Sequence, residues 1–302
     1  MKNGEMKGNI LLVITALIWG AAFVAQSVSM DHIGAFTFQG VRSLIGSAVL
    51  LPVIFAMKAM KKKKGEYVRP TKADNARLWK AGLVCGVIMA VASNLQQCGL
   101  QYTTAGKAGF ITALYIVIVP VLSLFMGKRS SLRMWLCVAM ALVGLYLLSV
   151  TDGFKLSLGD TLVLLCAVAF SFHIMAVDHY ASVVDGVKLS CIQFLVSGVI
   201  SCVLMFIFED PDISGLLAAA LPILYAGVMS CGVAYTLQIV GQKYTRPTMA
   251  SLLMSLESVF AVLAGMLILH EIPSLREGLG CVIMFAAIII TQLPEKAKAK
   301  MP

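Results

Sequence analysis

The chain has 302 residues, of which 59% are hydrophobic and only 13% charged, with a mean hydropathy of +0.90. A soluble domain carries roughly 25% charged residues, so these charges are too few to cover a water-facing surface and a water-soluble fold is not expected. The net charge of +9 would raise nucleic acid as a partner for a soluble chain, but here most of the bases sit in one loop and the tails, flanking apolar segments, so none is expected.

Ten apolar segments follow one another, at residues 8–27, 34–57, 78–100, 105–125, 132–150, 159–177, 189–208, 216–240, 247–269 and 277–293. Most approach the ~20 residues a helix needs to cross ~30 Å of hydrocarbon, and the last is short. Lys2 and Lys7 precede the first segment as they would in a signal peptide. The apolar run continues through Phe23 and similar runs follow, so it is expected to be an uncleaved first span. Pro52, Pro120 and Pro222 fall inside spans, where membrane helices tolerate them as kinks. The long polar connection at 58–80 reads as a solvated loop; its Lys61–Lys64 run anchors that face and can also touch anionic headgroups. Eight cysteines lie in or beside apolar stretches without CxxC or zinc spacing and are expected to be small packing residues. No metal site and no cofactor is expected.

With the N-terminus placed in the cytoplasm, twenty of the 24 Lys and Arg fall inside. Only Lys107, Lys155 and Arg276 fall outside, and Arg42 lies within a span. That asymmetry supports both the span count and an orientation with both termini cytoplasmic in the plasma membrane.

One phrase occurs twice. Leu95-Gln96-x-x-Gly99-x-x-Tyr102-Thr103 returns 142 residues later as Leu237-Gln238-x-x-Gly241-x-x-Tyr244-Thr245, and the register continues through Ala108/Ala250, Leu114/Leu256 and Val117/Val259. Residues 1–151 and 152–302 therefore read as two copies of one five-helix unit. Five is odd, so the second copy must enter the membrane from the opposite side. The charges agree: the lysine-rich loop after span two corresponds to Glu209, Asp210 and Asp212 after span seven. Spans one and six align more weakly at an offset of 151, which sets Trp19 against Phe170 and Ala22 against His173; Gln39 meets Gln193 only after a further shift. The expected fold is an all-α polytopic membrane protein, ten transmembrane helices in two inverted repeats.

Glu257 is the sharpest chemical signal. It lies about ten residues into its span, ~15 Å deep, where an ionised group costs at least ~2.5 kcal/mol and a protonated one much less. It is a candidate for proton coupling or substrate binding, with a structural acid bonded to helix backbone as the alternative. Its repeat partner is Tyr115, also polar and mid-span. Arg42 either attracts an anionic group or snorkels to the outer boundary. Gln96 and Gln238 are candidates for substrate contact or for interhelical hydrogen bonding. Thr15, Trp19, Ala22 and Gln26 share one stripe of the first span, so Trp19 is a cavity candidate or plain packing. His173 is a lone histidine, and Gly82-x-x-x-Gly86 permits close helix approach, within the chain or in a dimer. No hydrolase, P-loop or dinucleotide motif is present.

Three segments carry a resemblance. Ile14–Phe23, with Trp19-Gly20, resembles the first-helix signature of the EamA family of the drug/metabolite transporter superfamily. Phe38–Arg42 resembles its second-helix segment, and Ser251–Phe260 around Glu257 its ninth. The chain departs from the family pattern in having Ser258 where Pro commonly follows the Glu, and Lys128-Arg129 where an acid commonly ends the fourth helix; Glu271 keeps that acid at the ninth. The resemblance implies a secondary transporter of small metabolites or drugs, amino acids or related compounds among them, exporting by alternating access with protons as the candidate coupling ion. The readings weighed against it are a passive channel or facilitator, and a membrane-embedded enzyme or receptor-like scaffold. The sequence gives no oligomeric state.

Overall fold

A computed structural model describes residues 3–103, 105–128, 130–149, 157–269, 272 and 274–293. Lys2, Thr104, Arg129, Lys155, Glu271 and the tail lysines Lys296, Lys298 and Lys300 lie outside the described residues, as does the expected repeat junction at 151/152. Among the described residues the chain is helical throughout, without a strand.

The first three spans are single helices: α1 (Asn3–Ser29), α2 (Ala35–Lys63) and α3 (Lys72–Leu100). α4 runs in two pieces, Ala105–Thr112 and Tyr115–Phe125, and α5 (Leu132–Ser149) closes the first half. α6 (Leu158–Tyr180) and α7 (Gly186–Phe208) open the second. α8 (Ala220–Gln242) contains a π-helical stretch, Ala226–Ala234. α9 comprises Pro247–Met254, Glu257–Ala264 and a closing π turn, Gly265–Leu269, and α10 is Leu275–Gln292. Eight of these are long and apolar enough to span by themselves. α5 and α10, 18 residues each, are the shorter pair and pack on one another.

The helices outrun the apolar segments where capping chemistry extends them into water. α3 begins at Lys72 because Thr71 and Asp74 form a reciprocal capping box. The Thr71 hydroxyl, by donating to the Asp74 carboxylate, holds that group below the usual range. Pro222 falls in the first turn of Ala220–Tyr225, where a missing N–H leaves no bond unmade.

Side chains are distributed for a bilayer. Leu17, Phe55, Leu83, Leu136, Phe206 and Leu267 are at least half exposed, while Thr15, Gln39, Gln97, His173 and Gln193 are fully buried. Such an apolar outer surface suits lipid and not water. All eight cysteines are free and half-buried or buried.

The packing repeats itself. α1 packs on α8 and α9, as α6 packs on α3 and α4; α2 packs on α8 as α7 does on α3. α2 and α7 lie against each other, and so do α5 and α10. Within these pairs the chains run antiparallel. Arg133 at the start of α5 donates to the Leu293 carbonyl at the end of α10 (2.8 Å), while Arg276 at the start of α10 covers the Tyr146 ring near the end of α5. In the other pair Gly40 abuts Cys202 and Ser47 donates to the Cys191 carbonyl at 2.9 Å. Equivalent helices that meet antiparallel are the signature of inverted copies.

These contacts settle one local expectation and reveal a helix cap. The Gly82-x-x-x-Gly86 face serves packing within the chain. A Cβ at Gly82 would lie 2.3 Å from Ile192, and one at Gly86 2.9 Å from the Gln193 carbonyl, both on α7. Glu209, at the end of α7, caps α2, whose own N-cap Gly34 has no side chain to do so. The Phe36 and Thr37 N–H groups donate to its two oxygens at 2.9 and 2.8 Å, and the Thr37 hydroxyl adds a third bond at 2.7 Å. Glu209→Gln should lower the unfolding midpoint by the equivalent of about 1 kcal/mol, because it removes an anion from a helix N-terminus. An unchanged midpoint in a thermal-shift measurement would refute the cap.

Candidate functional site

α4 and α9 are broken at the same place in the repeat. Leu114 and Leu256, 142 residues apart, take nearly identical backbone angles (φ −59°, ψ −13° and φ −58°, ψ −14°). Around each, the bonds tighten from the α to the 3₁₀ pattern: Ile116 N–H donates to Ala113 and Ser258 N–H to Ser255. A short 3₁₀ turn inside a helix frees backbone and marks a functional or hinge position. The first residues after the two breaks are Tyr115 and Glu257, and they meet: the Tyr115 hydroxyl donates to Glu257 Oε1 at 2.9 Å. Both are buried, Tyr115 at 3% and Glu257 at 5% exposure.

Around this bond lies a central cavity of about 40 Å³, room for roughly three waters. Its lining follows the repeat. Trp19 corresponds to Phe170, Phe23 to Ile174, Gln96 to Gln238, Thr112 to Met254 and Tyr115 to Glu257, so five repeat pairs supply ten of the fourteen lining residues. Arg42, Gln26, Ser230 and Tyr235 complete it. The pseudo-twofold therefore carries each residue in one half to a position across the same space, while the residue types have diverged.

Each side chain is held by identifiable contacts. α1 reaches α9 at Gly20: a Cβ there would lie 2.6 Å from the Phe260 carbonyl carbon and 2.7 Å from the Ala261 nitrogen. That backbone-to-backbone approach brings Trp19 to the cavity, where it packs on Tyr235 with ring centroids 4.5 Å apart. The π-helical stretch of α8 ends at Ala234, whose carbonyl accepts from the Thr15 hydroxyl at 3.1 Å. It thereby sets Tyr235 at the centre, edge-on to Phe194 and His173. Gln96 donates to the Thr112 hydroxyl at 3.1 Å, joining α3 to α4. Gln238 donates to Gln242 at 2.9 Å, which in turn donates to the Ile174 carbonyl.

Arg42 does not snorkel outward. It is 4% exposed, lines the central cavity, donates from Nε to Gln39 Oε1 at 2.7 Å and lies over the Phe38 ring. No carboxylate pairs with it among the described residues. Trp19 Nε1, Gln26 Oε1 and Gln238 Oε1 line the cavity and find no protein partner among the described residues. Buried polar atoms of this kind are normally met by water or ligand.

Six of the seven candidates, Glu257, Tyr115, Trp19, Gln96, Gln238 and Arg42, thus converge. His173 is not among the residues that line this cavity; it shares a 3.1 Å bond with Gln193 and meets the Tyr235 ring edge-on. Tyr235, Thr112, Phe170 and Ser230 were not singled out from sequence. Two had a signal, since Phe170 is the repeat partner of Trp19 and Tyr235 lies one helical turn before Gln238. Among the described residues no group of three or more His, Cys, Asp or Glu side chains could hold a metal.

The replaced acid at the end of α4 also has a role. Lys128 forms an ion pair with Asp178 on α6, tying the two halves at that face.

Comparison with known proteins agrees with this architecture. The model of the EamA-like transporter family matches twice, at residues 6–150 and 157–293. A protein of Archaeoglobus fulgidus described as an "uncharacterized transporter" is 30% identical over 285 residues, covering 93% of this chain and 84% of its own. The "uncharacterized transporter YoaV" of Bacillus subtilis is 20% identical over 286 residues, covering 92% of this chain and 94% of its own. A solved crystal structure superposes with a TM-score of 0.76 over 94% of this chain and 96% of that one; at 18% identity this likeness concerns the fold alone. With both halves matched and the full-length relative covered, the chain belongs to the EamA-like transporter family and is a multi-pass membrane transporter.

Proposed function

We propose that this chain is a secondary transporter that exports small zwitterionic or amphipathic metabolites from the cell, working in the plasma membrane with both termini cytoplasmic and coupled to protons through Glu257. The observation that carries the reading is the Tyr115–Glu257 bond. It joins the two inverted halves at the breaks of α4 and α9, so motion of one half against the other must remake the contacts of the carboxyl. A group that exchanges partners during the cycle can take up a proton in one arrangement and release it in the other.

The substrate class follows from charge. Arg42 and Glu257 line one cavity without pairing to each other, and Trp19 and Tyr235 offer ring faces between polar ends. An ammonium suits the Glu257 carboxylate and the rings, and a carboxylate suits Arg42. Amino acids and related compounds have that form. The cavity, about 40 Å³, has room for a few waters, and in an alternating-access cycle the halves part to load substrate.

The test is flux in proteoliposomes over a panel of amino acids, nucleosides and organic cations, with and without a pH gradient. Uphill accumulation of one class supports the reading, whereas equilibration alone makes the protein a passive facilitator. Arg42→Gln should raise the half-saturating concentration of a carboxylate-bearing substrate about tenfold or more, because one charge-assisted hydrogen bond is lost. An unchanged value would remove Arg42 from the binding site.

A further inference from the structure

A second cavity, of about 460 Å³, lies between the start of α3 and the end of α6, away from the central site. Its walls are Ala76, Arg77, Lys80, His179, Tyr180 and Val183. Three basic side chains converge there from two helices, and no carboxylate is among them. Asp178 pairs with Lys128, Asp185 accepts from the Val187 and Lys188 N–H groups, and Asp74 accepts from Thr71 while its charge also acts on Arg77 across one helical turn. The groove is also continuous with lipid-facing surface. Along α3, Leu83, Val84, Val87 and Val91 stand three, four, seven and eleven residues beyond Lys80 on one helix face, each more than a third exposed. Along α6, Phe172, Val168 and Leu165 stand seven, eleven and fourteen residues before His179 and are likewise more than a third exposed. Trp79, half exposed beside the groove, suits the headgroup level.

We infer that this groove binds the phosphodiester headgroup of an anionic phospholipid. Arg77 and Lys80 meet the phosphate oxygens, the His179 ring and Tyr180 hydroxyl meet headgroup hydroxyls, and the acyl chains lie along the two exposed apolar stripes. This differs from general attraction by the Lys61–Lys64 run, because concavity, two cations on α3 and polar groups on α6 select one lipid molecule and hold it in place. α3 belongs to the first repeat and α6 to the second, so the bound lipid bridges the two halves. The binding does not depend on the transport reading.

The test uses the purified full chain, delipidated in neutral detergent. It is titrated with phosphatidylglycerol, with phosphatidylcholine of the same chains, and with inorganic phosphate, and bound molecules are counted by native mass spectrometry. One phosphatidylglycerol per chain is expected to outlast phosphatidylcholine and phosphate. The double variant R77Q/K80Q should weaken it about 25-fold, and each single variant about fivefold, at about one base's contribution each. Quadruple replacement of Lys61–Lys64 by Gln should leave it unchanged. Melting midpoints equal to wild type show that the exposed replacements fold. Equal weakening by the quadruple variant would reduce the site to diffuse charge and overturn the inference. So would unaltered binding in R77Q/K80Q, or phosphate binding as tightly as the lipid.

Discussion

Glu257→Gln should fold, bind an ammonium-bearing substrate more weakly because the charge is gone, and lose uphill transport. The glutamine keeps an acceptor oxygen for the Tyr115 hydroxyl, so the 2.9 Å bond between the halves survives, while the group can no longer carry a proton. The sign of the coupling is fixed by direction. In an exporter the proton enters from the acidic outside as substrate leaves, so substrate accumulates on the acidic side. For one proton exchanged against one net-neutral substrate, with the membrane potential clamped at zero, a gradient of one pH unit supports about tenfold accumulation, because one unit is worth ~1.4 kcal/mol. Wild type should approach that ratio in proteoliposomes, and Glu257→Gln should stop at equality. A folded Gln variant that still accumulates substrate in response to the gradient would sink the coupling role. Accumulation on the alkaline side would reverse the assigned direction. Tyr115→Phe is the companion: it leaves the carboxyl able to titrate but removes its partner across the repeat, so coupling should become leaky without being lost.

The second large effect is expected at Gly20. Its neighbours at 2.6 and 2.7 Å from a built Cβ are the backbone of Phe260 and Ala261, and backbone inside a packed helix cannot turn aside as a side-chain end can. Gly20→Val should therefore push α1 off α9 and cost about 1–3 kcal/mol by overpacking. Because Trp19 and Glu257 face the same cavity from these two helices, transport should be lost even at equal amounts of folded protein. Melting midpoint and flux should fall together. A variant with a wild-type midpoint and wild-type flux would show that the close approach of α1 and α9 is dispensable. The comparison that isolates contact from bulk is Gly109→Val. Among the described residues, and apart from its own helix backbone, nothing lies within 4 Å of a Cβ there, so it should be much milder.

Several features were legible in the residues alone because they follow from solvent and period. Helices must cover their own backbone in lipid, so ten apolar runs gave ten helices, and charge asymmetry gave their alternation. The 142-residue register was a covalent fact, and it placed Tyr115 and Glu257 in equivalent positions before any contact was seen. Five spans per copy then required inversion, which the antiparallel α5/α10 pair displays.

What the register could not decide was distance. Equivalent residues in inverted copies can sit anywhere from contact to opposite faces, depending on how far each lies from the twofold. Only packing brought the breaks of α4 and α9 together and closed the Tyr115–Glu257 bond. The same holds for Arg42, whose depth allowed either snorkelling or an inward turn; the bond to Gln39 and the Phe38 ring beneath it draw it inward. His173 on α6 meets the Tyr235 ring edge-on and bonds Gln193, while Tyr235, just after the π-helical stretch of α8, lines the cavity. Periodicity along one helix sets which residues share a face. Which face meets which neighbour is set by long-range contacts such as Gly20 on Phe260 and Glu209 on the start of α2, between residues that no local pattern links.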